Sequence, residues 1–221
     1  MNETRTINNF FTKFRSIIVN NARNIILTSL IIFSIFISYQ IYDYFRIQET
    51  KKSSISFYKS LESGDLILEK LLKVKSKKNI YSILTKLELI KINNENKEFN
   101  ISNELYKELM SSNNINELYK SSIAVHAAYT LINATLNENT NIFLDDILYY
   151  ISNVNDDFDN YHSIKKELEY LYLVTRNDIN QLKYKNNSEI IDFYEELINS
   201  SLVSTSVKER VKNIHEFYIY K

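Results

Sequence analysis

The chain has 221 residues, 44% of them apolar, enough to close one core of ordinary domain size with an appendage beside it. Lys and Arg number 27 and are balanced by 27 Asp and Glu, so no net field recruits nucleic acid. The absence of Cys excludes disulfides, thiolate catalysis and Cys-based zinc sites, while a single Gly and no Pro disfavour hairpins, tight turns and phosphate-cradling loops and leave an all-α protein as the expectation.

The first predicted element is the stretch from Asn24 to Tyr42, 19 residues without a charge. As a helix it is roughly 28 Å long, close to the ~30 Å hydrocarbon core of a bilayer. Its apolar face is supplied by Ile25, Ile26, Leu27, Leu30, Ile31, Ile32, Phe33, Ile35, Phe36, Ile37 and Ile41. A secretory signal has a shorter apolar region and small residues at a cleavage site, whereas this run ends in SYQIYDYFR. Tyr39, Tyr42, Tyr44 and Phe45 suit the wet and apolar sides of a membrane interface. A retained anchor over 24–42 is therefore expected, preceded by a short cytoplasmic tail over 1–23. Arg5, Lys13, Arg15 and Arg23 before the span are matched by Arg46, Lys51, Lys52 and Lys59 after it, so charge does not set the orientation. The layout of a short tail and a long carboxy-terminal domain places that domain outside the cytoplasm.

Residues 43–78 are expected to be connecting helices, with the first ending at Gly64 and the next capped by Asp65. A helical domain follows over 79–221. YSILTKLELIKINNE, KSSIAVHAAYTLINA and YHSIKKELEYLYLVTRND each open with a Ser-Ile pair: Ser82-Ile83, Ser122-Ile123 and Ser163-Ile164, spaced 40 and 41 residues apart. Each is followed by a polar break and a second apolar helix, SNELYKELM, IFLDDILYYI or SEIIDFYEELI. A hairpin period near 40 points to a helical array, either a right-handed solenoid or an irregular bundle. The uncharged stretch from Ser121 to Asn137 reads as a buried helix at the array's centre, not a second span, because of its polar content and its Ala124, Ala127 and Ala128. A closing helix starts near Ser204 or Thr205 and places Val207, Val211, Ile214 and Tyr218 on one face.

The order of FFTKFR, the apolar span, SYQIYDYFR, SISFYKSLESGD and YSILTKLELIKI followed by hairpins resembles the bacterial membrane-anchored tetratricopeptide-like family that includes the ancillary subunit of the SecYEG translocon. The resemblance covers nearly the whole chain and rests on order and apolar pattern. It implies a single-pass inner-membrane protein with tetratricopeptide-like hairpins in the periplasm, partnered by the translocon and by periplasmic chaperones. The chain departs from the repeat pattern in lacking the usual Gly of the first helix and the Pro that closes the second.

No residue pattern for catalysis is found. His126, His162 and His215 lie far apart and read as packing or surface residues, without partners at metal-ligand spacing. The stretch NVNDDFDN from Asn153 lacks the Gly and bidentate Glu of a calcium loop and reads as a turn. The adjacent pairs Asp145, Asp146 and Glu195, Glu196 point apart on their helices and read as solvated faces. No enzyme activity, cofactor, metal or small-molecule substrate is therefore expected. The 17 Tyr and 12 Phe are the one chemical excess. Most read as core, but Tyr106, Tyr119 and Tyr129 on an array surface suit gripping a protein. The expected function is an interaction scaffold at the membrane, with a self-associating envelope protein, a homo-oligomer, as the alternative.

Overall fold

The computed structural model describes residues 19, 21–62, 66–75, 79–158, 160–181, 184 and 187–220. Among them the chain is all-α, with nine α-helices and no strand: α1 Ala22–Leu61, α2 Ile67–Lys75, α3 Ile80–Glu95, α4 Phe99–Met110, α5 Glu117–Glu138, α6 Leu144–Ser152, α7 Tyr161–Ile179, α8 Ser188–Asn199 and α9 Thr205–Tyr220. Gly64, Asp65 and the tail residues Arg5, Lys13 and Arg15 lie outside the described residues.

α1 is one continuous helix of 40 residues, and it alone among the described helices is long and apolar enough to cross a membrane. With no Gly or Pro inside it, nothing interrupts the i→i−4 ladder. Residues 26–42 are exposed throughout, as a lipid-facing segment requires. The hydroxyls of Thr28 and Ser38 donate to the carbonyls of Asn24 and Ser34 at 2.9 and 2.8 Å, so the segment satisfies them internally. Beyond Tyr42 the same helix becomes part of the body. Phe57 is buried there, in one core cluster with Leu71 and Val74 of α2 and with residues of α3 to α7.

The helices alternate in direction, and each packs against the next. α1 also packs against α3, α5 against α7 and α7 against α9, whereas α3 and α5 do not pack closely. α5 sits at the centre of the body. Ala124, Ala127, Ala128 and Ala134 are fully buried, and their small size lets α4, α6 and α7 approach one helix from several sides. A second core cluster joins Tyr170 and Val174 of α7 to Ile190 and Leu197 of α8 and to Val207 and Val211 of α9.

The described turns are made without glycine. Asn79 and Asn116 cap α3 and α5 by accepting from the amides of Tyr81 and Tyr119, each at 3.0 Å. Lys97, Asn139 and Gln181 take left-handed φ values of 62°, 50° and 54° just past helix ends, where Gly is the usual residue. Asn thus has structural use at several helix ends.

The Ser-Ile periodicity is one residue out of register in its middle unit. Ser121 is buried and Ser122 exposed. Ser121 Oγ accepts from the Asn155 amide at 3.1 Å, and Ser163 Oγ from the Ser204 amide at 2.9 Å. Ser53 Oγ accepts from Asn79 Nδ2 at 2.9 Å. In each case a buried serine on one odd-numbered helix ties down the segment that leads into the next odd-numbered helix. On α3, Ser82 instead donates back to the Lys75 carbonyl at 2.6 Å.

Candidate functional site

Where α3 and α5 part, a groove of about 880 Å³ opens. One wall is the α3 stripe Ile80, Ile83, Leu84 and Leu87; the other is Tyr119 and Ile123 of α5. These positions recur at three- and four-residue steps, which puts them on one face of each helix. Several are solvent-exposed although apolar, with relative exposures of 54% for Ile80, 39% for Leu87 and 64% for Tyr119. A patch of this kind inside a concave surface marks an interaction site, because a free surface gains nothing from it.

The floor and one end are polar. Tyr106 of α4 is buried beneath the groove, and its hydroxyl bonds His126 Nδ1 and lies 3.3 Å from Thr130 Oγ1. Burial pushes the Tyr106 hydroxyl pKa up and holds the His126 imidazole below the ordinary histidine range, so both stay neutral at pH 7. Asn94, also in the lining, lies against the Tyr106 hydroxyl, and its buried Oδ1 has no hydrogen-bond partner among the described residues. An orphaned acceptor of that kind costs about 1–3 kcal/mol until a donor arrives. Lys91 and Glu95 are the charged residues of the lining.

No family model matches the chain, and no curated protein or solved structure matches it either. The site therefore has to be read from its own chemistry.

The residues singled out in the sequence fall into different places. The anchor residues from Ile26 to Ile41 are exposed on α1, as are Tyr39, Tyr42, Tyr44 and Phe45, while the Ile25 side chain lies outside the described set. Tyr106 and Tyr119 come together at the groove, with His126 beside them. Tyr129 does not join them: its hydroxyl lies against Glu167 of α7, a buried carboxylate that takes Arg210 Nε of α9 at 2.7 Å and its Nη2. His215 is buried among Tyr170, Tyr184 and Tyr194, and the Tyr184 hydroxyl meets its Nδ1 at 2.6 Å. Asp146 departs from the expectation of a solvated face. It accepts from Asn103 Nδ2 and pairs with Lys107 at 2.5 Å, because the α4 side of α6 turns it inward. Asp145, Glu195 and Glu196 are exposed. The NVNDDFDN stretch is a turn in which the Asp157 amide donates to Asn155 Oδ1 at 2.9 Å.

The groove residues that sequence reasoning missed are Ile80, Leu84, Leu87 and Asn94. Their signal was present. α3 is apolar around most of its circumference, with Leu89 and Ile90 buried on one side and Leu84 and Leu87 left open on the other. A helix apolar all round has to be covered on all sides or present a binding face.

Proposed function

We propose that the chain is a single-pass, membrane-anchored helical scaffold that holds a protein partner beside the bilayer. The observation that carries this reading is the apolar groove between α3 and α5 on a body joined without a break to the apolar helix α1. Tethering raises the effective concentration of the site for partners in the same membrane, so modest affinity suffices. The packing of alternate helices supports a tetratricopeptide-like array of hairpins with one irregular junction. The reading also takes up the resemblance to the anchored tetratricopeptide-like family: an inner-membrane protein with its body in the periplasm, partnered by the translocon or a periplasmic chaperone, without catalytic activity.

A photoreactive amino acid at Leu84, compared with one at exposed Glu196, tests it in native membranes. Partner crosslinks specific to Leu84 are expected. Equal yields at both positions, or none, overturn the groove as the binding site. The self-associating alternative draws on exposed Leu202, Phe217 and Tyr220 near the α9 end, at 73%, 62% and 87% exposure. Crosslinks from Phe217 to a second copy would favour it.

A further inference from the structure

The groove has a direction. Asn79 is tied to Ser53, and the rings of Tyr81 and Phe57 lie 5.9 Å apart, so α3 runs parallel to α1. Ser53 lies eleven residues past Tyr42, about 16 Å along the helix axis. Ile80 and Tyr119 therefore form the end nearer the apolar segment of α1. Asn94, Tyr106 and His126 form the far end. The ligand that fits is apolar along its body and donates hydrogen bonds at the end away from the bilayer.

The other junctions between odd-numbered helices show what this one lacks. α1 and α3, α5 and α7, and α7 and α9 each close by direct packing and a buried serine tie. Between α3 and α5 the two stripes face a common space. Ridges at three- and four-residue steps are what a further helix packs into. A helix about 10 Å across, laid along the roughly 21 Å from Ile80 to Asn94 with half its bulk below the rim, the equivalent of two turns, occupies about 850 Å³, and the groove holds about 880 Å³. A helix also brings the missing donors: its first four N–H groups have no internal partner. An Asn oxygen accepts such an amide at an ordinary N-terminus, as Asn79 and Asn116 do in this chain. Glu95 adds negative charge at the same end, which favours a helix amino terminus, while Lys91 one turn back is paired with Glu88 at 3.4 Å. An acyl chain would satisfy the walls but leave Asn94 Oδ1 orphaned.

Resting on the scaffold reading above, we propose that the occupant is an amphipathic helix of the partner, seated antiparallel to α3 with its amino terminus at Asn94 and its chain running on toward the bilayer. The site thus recognises a juxtamembrane helix, with two turns buried and anchors at i, i+3, i+4 and i+7.

The chain contains no Trp, so a single Trp in a peptide reports binding by itself. The probe is a helical peptide of about 14 residues built on Ala and Gln, with a Leu stripe ending in Trp. It is titrated against the full-length protein in lipid nanodiscs, with empty nanodiscs subtracted. A blue-shifted, saturable emission is expected, together with affinity about tenfold weaker for the same composition with Leu scattered around the helix. Leu84→Lys should weaken binding about tenfold and Asn94→Leu about fivefold. Leu84 is exposed enough for the fold to survive the change, which unaltered circular dichroism checks, and Tyr119→Ala gives a second variant. A photoreactive group on the peptide's amino terminus should label α3 near Asn94, and one on its carboxy terminus should label residues 115–119. Equal binding of striped and scattered peptides, insensitivity to Leu84→Lys, or reversed labelling overturns the proposal. So does a dansyl fatty acid that binds in a Leu84→Lys-sensitive way and is not displaced by the peptide, which would assign the groove to lipid. If Leu84 crosslinks a partner in membranes while the striped peptide fails to bind, the scaffold reading stands and the helical occupant falls.

Discussion

Glu167 is the least solvated carboxylate paired across helices, with 4% of its side chain exposed, and it is held by both Arg210 and Tyr129. Those three groups come from α7, α9 and α5, so one cluster ties three helices on the far side of the body from α1. The Glu167 carboxylate holds the Arg210 guanidinium pKa above its already high range, and the carboxylate's charge with burial pushes the Tyr129 hydroxyl up. Removing Arg210 leaves a buried carboxylate with a single phenol for company. Loss of one partner of a buried pair costs about 3–5 kcal/mol. Half of the Arg210 side chain is exposed, so water can reach part of the vacated space, and the lower end of that range applies. Arg210→Ala should therefore destabilise the body by about 3 kcal/mol, lowering the melting temperature by about 6–12 °C for a chain of this size. The double replacement Glu167→Leu, Arg210→Met removes both charges at once and should stay within about 1 kcal/mol of the native chain. Thermal and urea unfolding of the full-length protein, followed by helical circular dichroism, measure both. If Arg210→Ala costs less than about 1 kcal/mol, or the double variant is as unstable as the single one, the assignment of a buried, charge-dependent tie is wrong.

Tyr150 is fully buried on α6 and donates to Asn103 Oδ1 at 2.8 Å, so Tyr150→Phe should cost about 1–2 kcal/mol by orphaning that acceptor, read by urea denaturation. Lys97 holds φ at 62° just past α3, and Lys97→Gly should raise stability by about 0.5–1 kcal/mol, measured as a higher unfolding midpoint. His215 is packed among Tyr170, Tyr184 and Tyr194, and burial holds its pKa below the ordinary range, with Glu216 partly opposing. Its contribution is complete above the unfolded pKa of about 6.5 and is lost as pH falls below that value, because the unfolded chain then binds a proton that the fold resists. The melting temperature should therefore drop between pH 7.5 and 5. His126, lowered for the same reason, adds to the slope, so His215→Asn should flatten it in part.

Much of the fold was legible because its causes are local. The uncharged run from Asn24 could only be a long apolar helix, and a single Gly and no Pro left the chain few alternatives to helices throughout. The helix starts at Tyr161 and Thr205 and the buried faces at Val207 and Val211 follow from spacing alone. Ser121 was harder to identify because two adjacent serines look alike in sequence. Only the approach of Asn155 from a distant loop distinguishes the buried one. Asp146 was misread for the same reason: its partners Asn103 and Lys107 lie some forty residues away. The fate of a polar residue on a helix surface depends on which neighbour covers it, and covering is a tertiary fact.

The groove lies between those cases. Its stripe on α3 is plain in the sequence, yet α5 carries a comparable apolar girth and buries it. What separates the two is position: α5 is flanked by α4, α6 and α7, whereas α3 has α1, α2 and α4 around it and an open side toward α5. Ser82 turns back to Lys75 instead of reaching forward to the segment before α5, so no serine tie draws the two helices together. Ile115 and Ile123 then carry the α5 side of the gap, while Asn94 keeps an acceptor that none of the described residues satisfies. Closing the junction would bury the 37% of Leu84 and 39% of Leu87 that remain exposed, about 0.5–1 kcal/mol each. A chain that leaves this stabilisation unused at one junction, after closing the other three, leaves it available to a partner. That difference gives the groove its binding energy.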